Sequence, residues 1–159
     1  MKTGEELVLH FLKDMYYAEK AVLKLLPELV TAASSDVLRE ALKKHTEETK
    51  AQLSRLEGVF TTLRRPVEAM TCEAIVGLIQ ETDDLLKETG GSGAIRDAAL
   101  AACVQAIEHY EIARYGSLAR WLEAMGHTDA AKSLRQSIQE DSGLDEALNK
   151  TIAASLARA

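Results

Sequence analysis

The sequence predicts an all-α fold: a four-helix bundle of two antiparallel helix hairpins, with an additional crossover helix between the second and third members. Three observations lead there. The composition is 47% hydrophobic yet only 4% aromatic, with two prolines in 159 residues, a balance weighted towards Ala, Leu and Glu. Apolar residues recur every three or four positions through long stretches, the period of a helix with one buried face. The main breakers fall at four places, Ser34-Ser35-Asp36, Arg64-Arg65-Pro66, Gly90-Gly91-Ser92-Gly93 and Gly126-His127, and so mark out long runs, with Ser142-Gly143 a weak point in the last. The length suits a single domain over residues 1–159, large enough to bury a core.

The first helix is expected over residues 4–33. Leu12, Met15, Glu19, Val22, Leu26 and Leu29 lie on one face, which puts Glu19 in an apolar row. Pro27 falls inside this run and should kink or divide it. The Ser34-Ser35-Asp36 turn supplies an N-cap for a second helix over 37–63. Its inward stripe reads Leu38, Leu42, His45, Glu48, Gln52, Leu56, Phe60, with three consecutive polar positions. A shorter amphipathic helix within 70–89 carries Ile75, Ile79, Thr82 and Leu86, and the glycine-rich turn follows it. The next helix, over 94–125, presents Ala101, Val104, Glu108, Glu111, Tyr115, Leu118 and Leu122, so two carboxylates three residues apart interrupt an apolar face. Thr128-Asp129 opens the last helix, whose stripe passes through Leu134, Ser137/Ile138, Glu140/Asp141, Leu144 and Leu148.

Burying an unpaired carboxylate costs several kcal/mol, so acids on inward faces call for counter-charges or a metal. Residues equally far from the turn of an antiparallel hairpin share a height. Glu19 and Glu48 flank the first turn at roughly 21–23 Å along each helix, at 1.5 Å per residue. They are 29 residues apart, as are Glu111 and Glu140 about the Gly126 turn, and both pairs repeat at an offset of 92. This weak internal repeat of hairpins, joined by a long helical connection, is the ferritin-like arrangement. Its interior would collect Glu19, Glu48, Glu108, Glu111 and Glu140, with His45 beside them as an imidazole donor or an orienting neighbour. Five carboxylates set against two ferrous ions nearly balance, and oxygen-rich donors with some imidazole suit iron or manganese.

The net charge of −6 and the lack of a Lys/Arg cluster argue against nucleic-acid binding. No apolar run approaches a membrane span, and the start of the chain lacks the apolar core of a signal peptide. Cys72 and Cys103 have neither zinc nor redox-motif spacing, which fits reduced thiols in the cytoplasm.

The pieces Leu12-Lys-Asp-Met-Tyr-Tyr-Ala-Glu19-Lys20, His45-Thr-Glu-Glu48-Thr-Lys-Ala-Gln52 and Glu108-His-Tyr-Glu-Ile-Ala-Arg-Tyr-Gly116 resemble the YciE/YciF family of ferritin-like, stress-associated proteins. So do Cys72-Glu73-Ala74 and Arg96-Asp97-Ala98-Ala99-Leu100. The resemblance implies a ferritin-like bundle, a homodimer and a link to stress responses. The wider rubrerythrin-like group carries Glu-x-x-Glu on its third helix, matched here by Glu108 and Glu111. It also carries Glu-x-x-His on its second and fourth helices, where this chain has Ala51 and Gly143 in place of the imidazoles. Two functions follow as expectations. One is a protein with two iron ions per chain, or manganese, acting on peroxide or oxygen. The other is a non-catalytic bundle in which any metal only stabilises the fold.

Overall fold

The computed structural model describes residues 1–91 and 93–157, leaving aside the side chains of 155 and 156. It contains five helices: α1 (Gly4–Ala32), α2 (Asp36–Thr62), α3 (Glu73–Glu88), α4 (Ala94–Ala124) and α5 (Thr128–Leu156), with no strand among the described residues. Helices α1 and α2 form one hairpin and α4 and α5 the other. Across the bundle α2 packs on α5 and α1 on α4, while α3 lies outside against α4 and α1. The expected all-α bundle with a crossover helix is the fold of this chain.

The helix ends follow local rules. Thr3 and Glu6 make a reciprocal capping box at the start of α1. The Ser35 hydroxyl accepts from the Leu38 amide at the start of α2. At the end of α4, Gly126 takes φ of 85°, and His127 N–H donates back to the Leu122 carbonyl at 2.8 Å. That six-to-one closure needs a left-handed residue, which glycine supplies without a steric cost. The same closure ends α2, where Arg65 N–H reaches the Phe60 carbonyl with Arg64 at φ of 55°. Pro66 then prevents further helix.

Of the two expected outcomes at Pro27, division of α1 does not occur, and the helix continues to Ala32. The ring lies on the exposed side, so the carbonyl it leaves without an amide partner faces away from the core. Helix α4 departs from simple amphipathicity because it is covered on two sides. Ala101, Val104 and Leu118 face the bundle, and Cys103 and Leu100 are buried as well, with α3 packed outside.

The two hairpins are tied at one end by Asp97, in the first turn of α4 and 3% exposed. Its carboxylate accepts from the Ser34 amide at 2.7 Å and from the Ser35 amide at 2.8 Å. In return, Gly93 N–H donates to the Ser34 hydroxyl at 2.8 Å. This fixes the start of α4 beside the α1–α2 turn, so α3 and its flanking loops must carry the chain back along the whole bundle. Asp97→Ala removes two charge-assisted hydrogen bonds and leaves two partly buried amides unpaired. Urea unfolding is expected to show a loss of about 2–3 kcal/mol; a change within about 0.5 kcal/mol, typical of an ordinary surface substitution, would mean the turn does not depend on it.

Candidate metal centre

At mid-length of the four long helices the apolar core gives way to a polar layer. Glu19 comes from α1, His45, Thr49 and Gln52 from α2, Glu108, Glu111 and Tyr115 from α4, and Ser137 and Asp141 from α5. Each has 0% relative exposure. The sequence puts them there by period alone. In α2 the fully buried positions run Leu38, Leu42, His45, Thr49, Gln52, Leu56, and in α5 they include Leu134, Ser137, Asp141 and Leu148.

Within the layer, Tyr115 donates its hydroxyl proton to Glu19 Oε1 at 2.5 Å. Gln52 Nε2 donates to Asp141 Oδ1 at 2.5 Å. His45 Nε2 lies 3.1 Å from Glu108 Oε1, an ion-pair contact between two groups wholly removed from solvent. The Thr49 hydroxyl donates to the His45 carbonyl at 2.9 Å. These contacts leave much of the polar surface unsatisfied. One oxygen of Glu19, both of Glu111 and one of Asp141 have no hydrogen-bond partner, nor have His45 Nδ1 and Gln52 Oε1, and Glu108 has only the His45 contact on Oε1.

The acids respond as a crowd of like charges in a dry site. Burial pushes Glu19 up to about 8; the Tyr115 hydrogen bond opposes this, and Glu108 and Glu140 add to it. Asp141 is pushed up to about 9 by burial, then by Glu108 and Glu19. Burial and the neighbouring Glu19, Glu108 and Asp141 hold Glu111 well above the ordinary range. Burial works against a charged His45, but the adjacent Glu108 carboxylate outweighs it and its pKa is raised.

Of the six residues expected from sequence, the layer contains Glu19, His45, Glu108 and Glu111. Glu48 and Glu140 stand at its rim instead. Glu48 meets the exposed Lys44 one turn earlier on α2, at 2.5 Å. Glu140 is clasped by Arg55 of α2 through two bonds of 2.6 and 2.7 Å. On α2 the inward stripe passes through Thr49 rather than the expected Glu48, and on α5, where the expected stripe held both Glu140 and Asp141, it is Asp141 that faces inwards. One residue along a helix is a rotation of roughly 100° at almost the same height, so matched heights do not select between neighbours. Ala51 and Gly143 are both exposed. The interior positions three residues beyond Thr49 and Asp141 are Gln52 and Leu144. His109 lies outside the layer, 61% exposed and 3.1 Å from Asp145.

The donor set fits a divalent cation. His45, Glu108 and Asp141 each offer one ligand atom, and the three atoms lie within 4.8 Å of one another. Glu19 and Glu111 border the same interior with free oxygens. Carboxylate-rich donors with a single imidazole favour manganese or ferrous iron over softer metals.

A helical bundle with a carboxylate–histidine layer at its centre is the class of protein defined here. The chain belongs to the DUF892 family (domain of unknown function), matched over residues 3–159. It is 39% identical to Protein YciF of Escherichia coli strain K12 over 146 residues, covering 91% of this chain and 87% of that protein. The crystal structure of the E. coli stress protein YciF superposes with a TM-score of 0.93 at 36% identity, covering all of both chains. YcfI from Rhodopseudomonas palustris, for which a structural role has been suggested, gives a TM-score of 0.89 at 41% identity over 93% of this chain and 94% of its own. No helix among the described residues is long and apolar enough to cross a membrane.

Proposed function

We propose that this chain is a stress-associated metal-binding protein whose central layer takes two divalent cations, iron first and manganese as the alternative. The observation that carries this is the set of five buried carboxylate oxygens with neither a hydrogen-bond nor an ion-pair partner, on Glu19, Glu108, Glu111 and Asp141. So many acceptors, removed from water and facing one another, are a heavy cost for a fold to keep unless something cationic satisfies them. Glu19, Glu108, Glu111 and Asp141 carry four negative charges when ionised, matching two divalent ions with His45 neutral.

In this reading those four acids and His45 hold the ions. Tyr115 orients Glu19, Gln52 orients Asp141, and apolar residues above and below the layer keep water out. Protons held by Glu19, Glu111 and Asp141 leave as the ions enter. Bound iron supplies one-electron chemistry towards peroxide or oxygen. The association with stress rests on the similarity to E. coli YciF.

The test is elemental analysis of protein purified without chelator, beside a Glu108→Gln, Asp141→Asn double variant. About two iron or manganese ions per chain are expected in the parent, as in di-metal carboxylate bundles, and fewer than half that in the variant. No metal in either, with unchanged melting after loading with ferrous iron or Mn²⁺, would overturn the proposal.

A second reading is favoured by the pairings already present. Tyr115–Glu19, Gln52–Asp141 and His45–Glu108 engage three of the acids with protein groups, and the raised pKa values let others stay neutral. The layer would then be a structural one. Metal removal would lower the melting temperature by mass action, and no turnover of peroxide would accompany loading.

A further inference from the structure

Arg55 stands at the edge of the polar layer and spans two helices. From α2 its guanidinium grips Glu140 of α5 with both nitrogens, at 2.7 Å to Oε2 and 2.6 Å to Oε1. One nitrogen also donates to the hydroxyl of Ser137, a fully buried residue, at 3.1 Å. The fork thus joins an outward carboxylate to an inward-facing group. Both partners are largely covered, at 15% and 17% side-chain exposure. Beneath lie the buried acids, and Arg55 is within electrostatic reach of Asp141 and Tyr115.

The other rim acid is held differently. Lys44, the partner of Glu48, is 72% exposed on the same helix. A solvated pair of that kind opens at little cost. The Arg55–Glu140 pair is bidentate, shielded and shared between helices, which gives it a fixed geometry. Glu140 directly precedes Asp141, so the two carboxylates lie at nearly one height, and Glu140 is already within electrostatic reach of Glu19 and Asp141.

We propose that Arg55 is the resident counter-charge of the acidic layer and holds Glu140 in reserve as a ligand. Glu140 leaves Arg55 and joins the site when a divalent cation replaces the guanidinium's charge. Arg55 is thereby a positioning residue that sets how tightly the layer binds cations. The inference rests on the metal-binding reading above. It predicts that removing Arg55 strengthens binding, whereas a purely structural ion pair predicts weakened or unchanged binding.

The experiment is titration of metal-free protein with Mn²⁺, following the electron paramagnetic resonance signal of the free ion, with circular dichroism to confirm folding. Arg55→Gln is expected to bind Mn²⁺ about tenfold tighter or more than the parent, a difference well resolved in such titrations. Glu140→Gln should bind several-fold more weakly, and the double variant should lose most of the gain. Equal or weaker binding by folded Arg55→Gln would overturn the inference. Should that variant fail to fold, Glu140→Gln decides: unchanged affinity overturns the inference, and weaker binding supports it. Binding by the parent without a gain in Arg55→Gln removes this inference alone. Absence of Mn²⁺ binding in the parent and every variant removes the metal-binding reading and this one together.

Discussion

Metal-free protein is expected to lose stability as the pH rises from 5 to 9, and Mn²⁺ is expected to reverse the trend. Glu19 is raised from 4.5 to about 8 and Asp141 from 3.8 to about 9. Below about pH 4 both acids are protonated in the folded and unfolded chains, and their contribution to stability is fully present. Above that, the unfolded chain releases its protons while the folded chain retains them. The unfolded state then binds fewer protons, stability falls, and the contribution is gone once the pH passes the folded values. His45, also raised, contributes with the same sign, from 6.5 up to its folded value. At about 1.4 kcal/mol per pH unit for each acid that the folded chain keeps protonated, the loss across the window is large against the stability of a typical domain. A cation binds the deprotonated acids, so its stabilising effect grows over the same range. Urea unfolding at pH 5, 7 and 9, with chelator or with Mn²⁺, measures both trends. A Glu19→Gln, Asp141→Asn variant should flatten the metal-free curve. Parallel curves with and without Mn²⁺ would refute the linkage.

The second large effect concerns Glu111, fully buried and without a hydrogen-bond partner on either oxygen. Truncating or replacing a core residue usually destabilises. Glu111→Leu should instead stabilise the metal-free protein by about 1–3 kcal/mol, because an apolar side chain of similar volume replaces a desolvated, unpaired acid. The same substitution should abolish the rise in melting temperature on adding Mn²⁺. Stabilisation without metal together with loss of the metal response is a pattern that a mere packing change does not produce. A destabilised variant that kept its Mn²⁺ response would show that Glu111 is satisfied by protein contacts.

The architecture was legible because it rests on local signals. Helix ends at Ser35 and Gly126 are written in short motifs, and 3.6-residue periodicity exposed the acids on α1 and α4. Glu19, Glu108 and Glu111 each break a run of otherwise apolar residues, so their burial stands out. The second and fifth helices were harder. Thr49 is buried through a hydroxyl that bonds its own helix backbone, so its composition does not announce an interior position. Glu48, beside it, looks the better ligand by chemistry. On α5 the adjacent Glu140 and Asp141 cannot be ranked by height, and the Arg55 fork that draws Glu140 outwards comes from a helix 85 residues earlier. Asp97 is the clearest case of a role hidden from the sequence. An acid in the first turn of a helix has an ordinary explanation in the helix dipole, and nothing nearby says that its partners lie in another hairpin.

That last contact makes the molecule report on its own opening. The amides of Ser34 and Ser35 belong to the first hairpin, but the group that shields them comes 63 and 62 residues later. Fraying of α1 or α2 alone does not take the carboxylate away. The exchange of these two amide protons with deuterated solvent therefore follows the parting of one half of the protein from the other, separately from the loosening of either half.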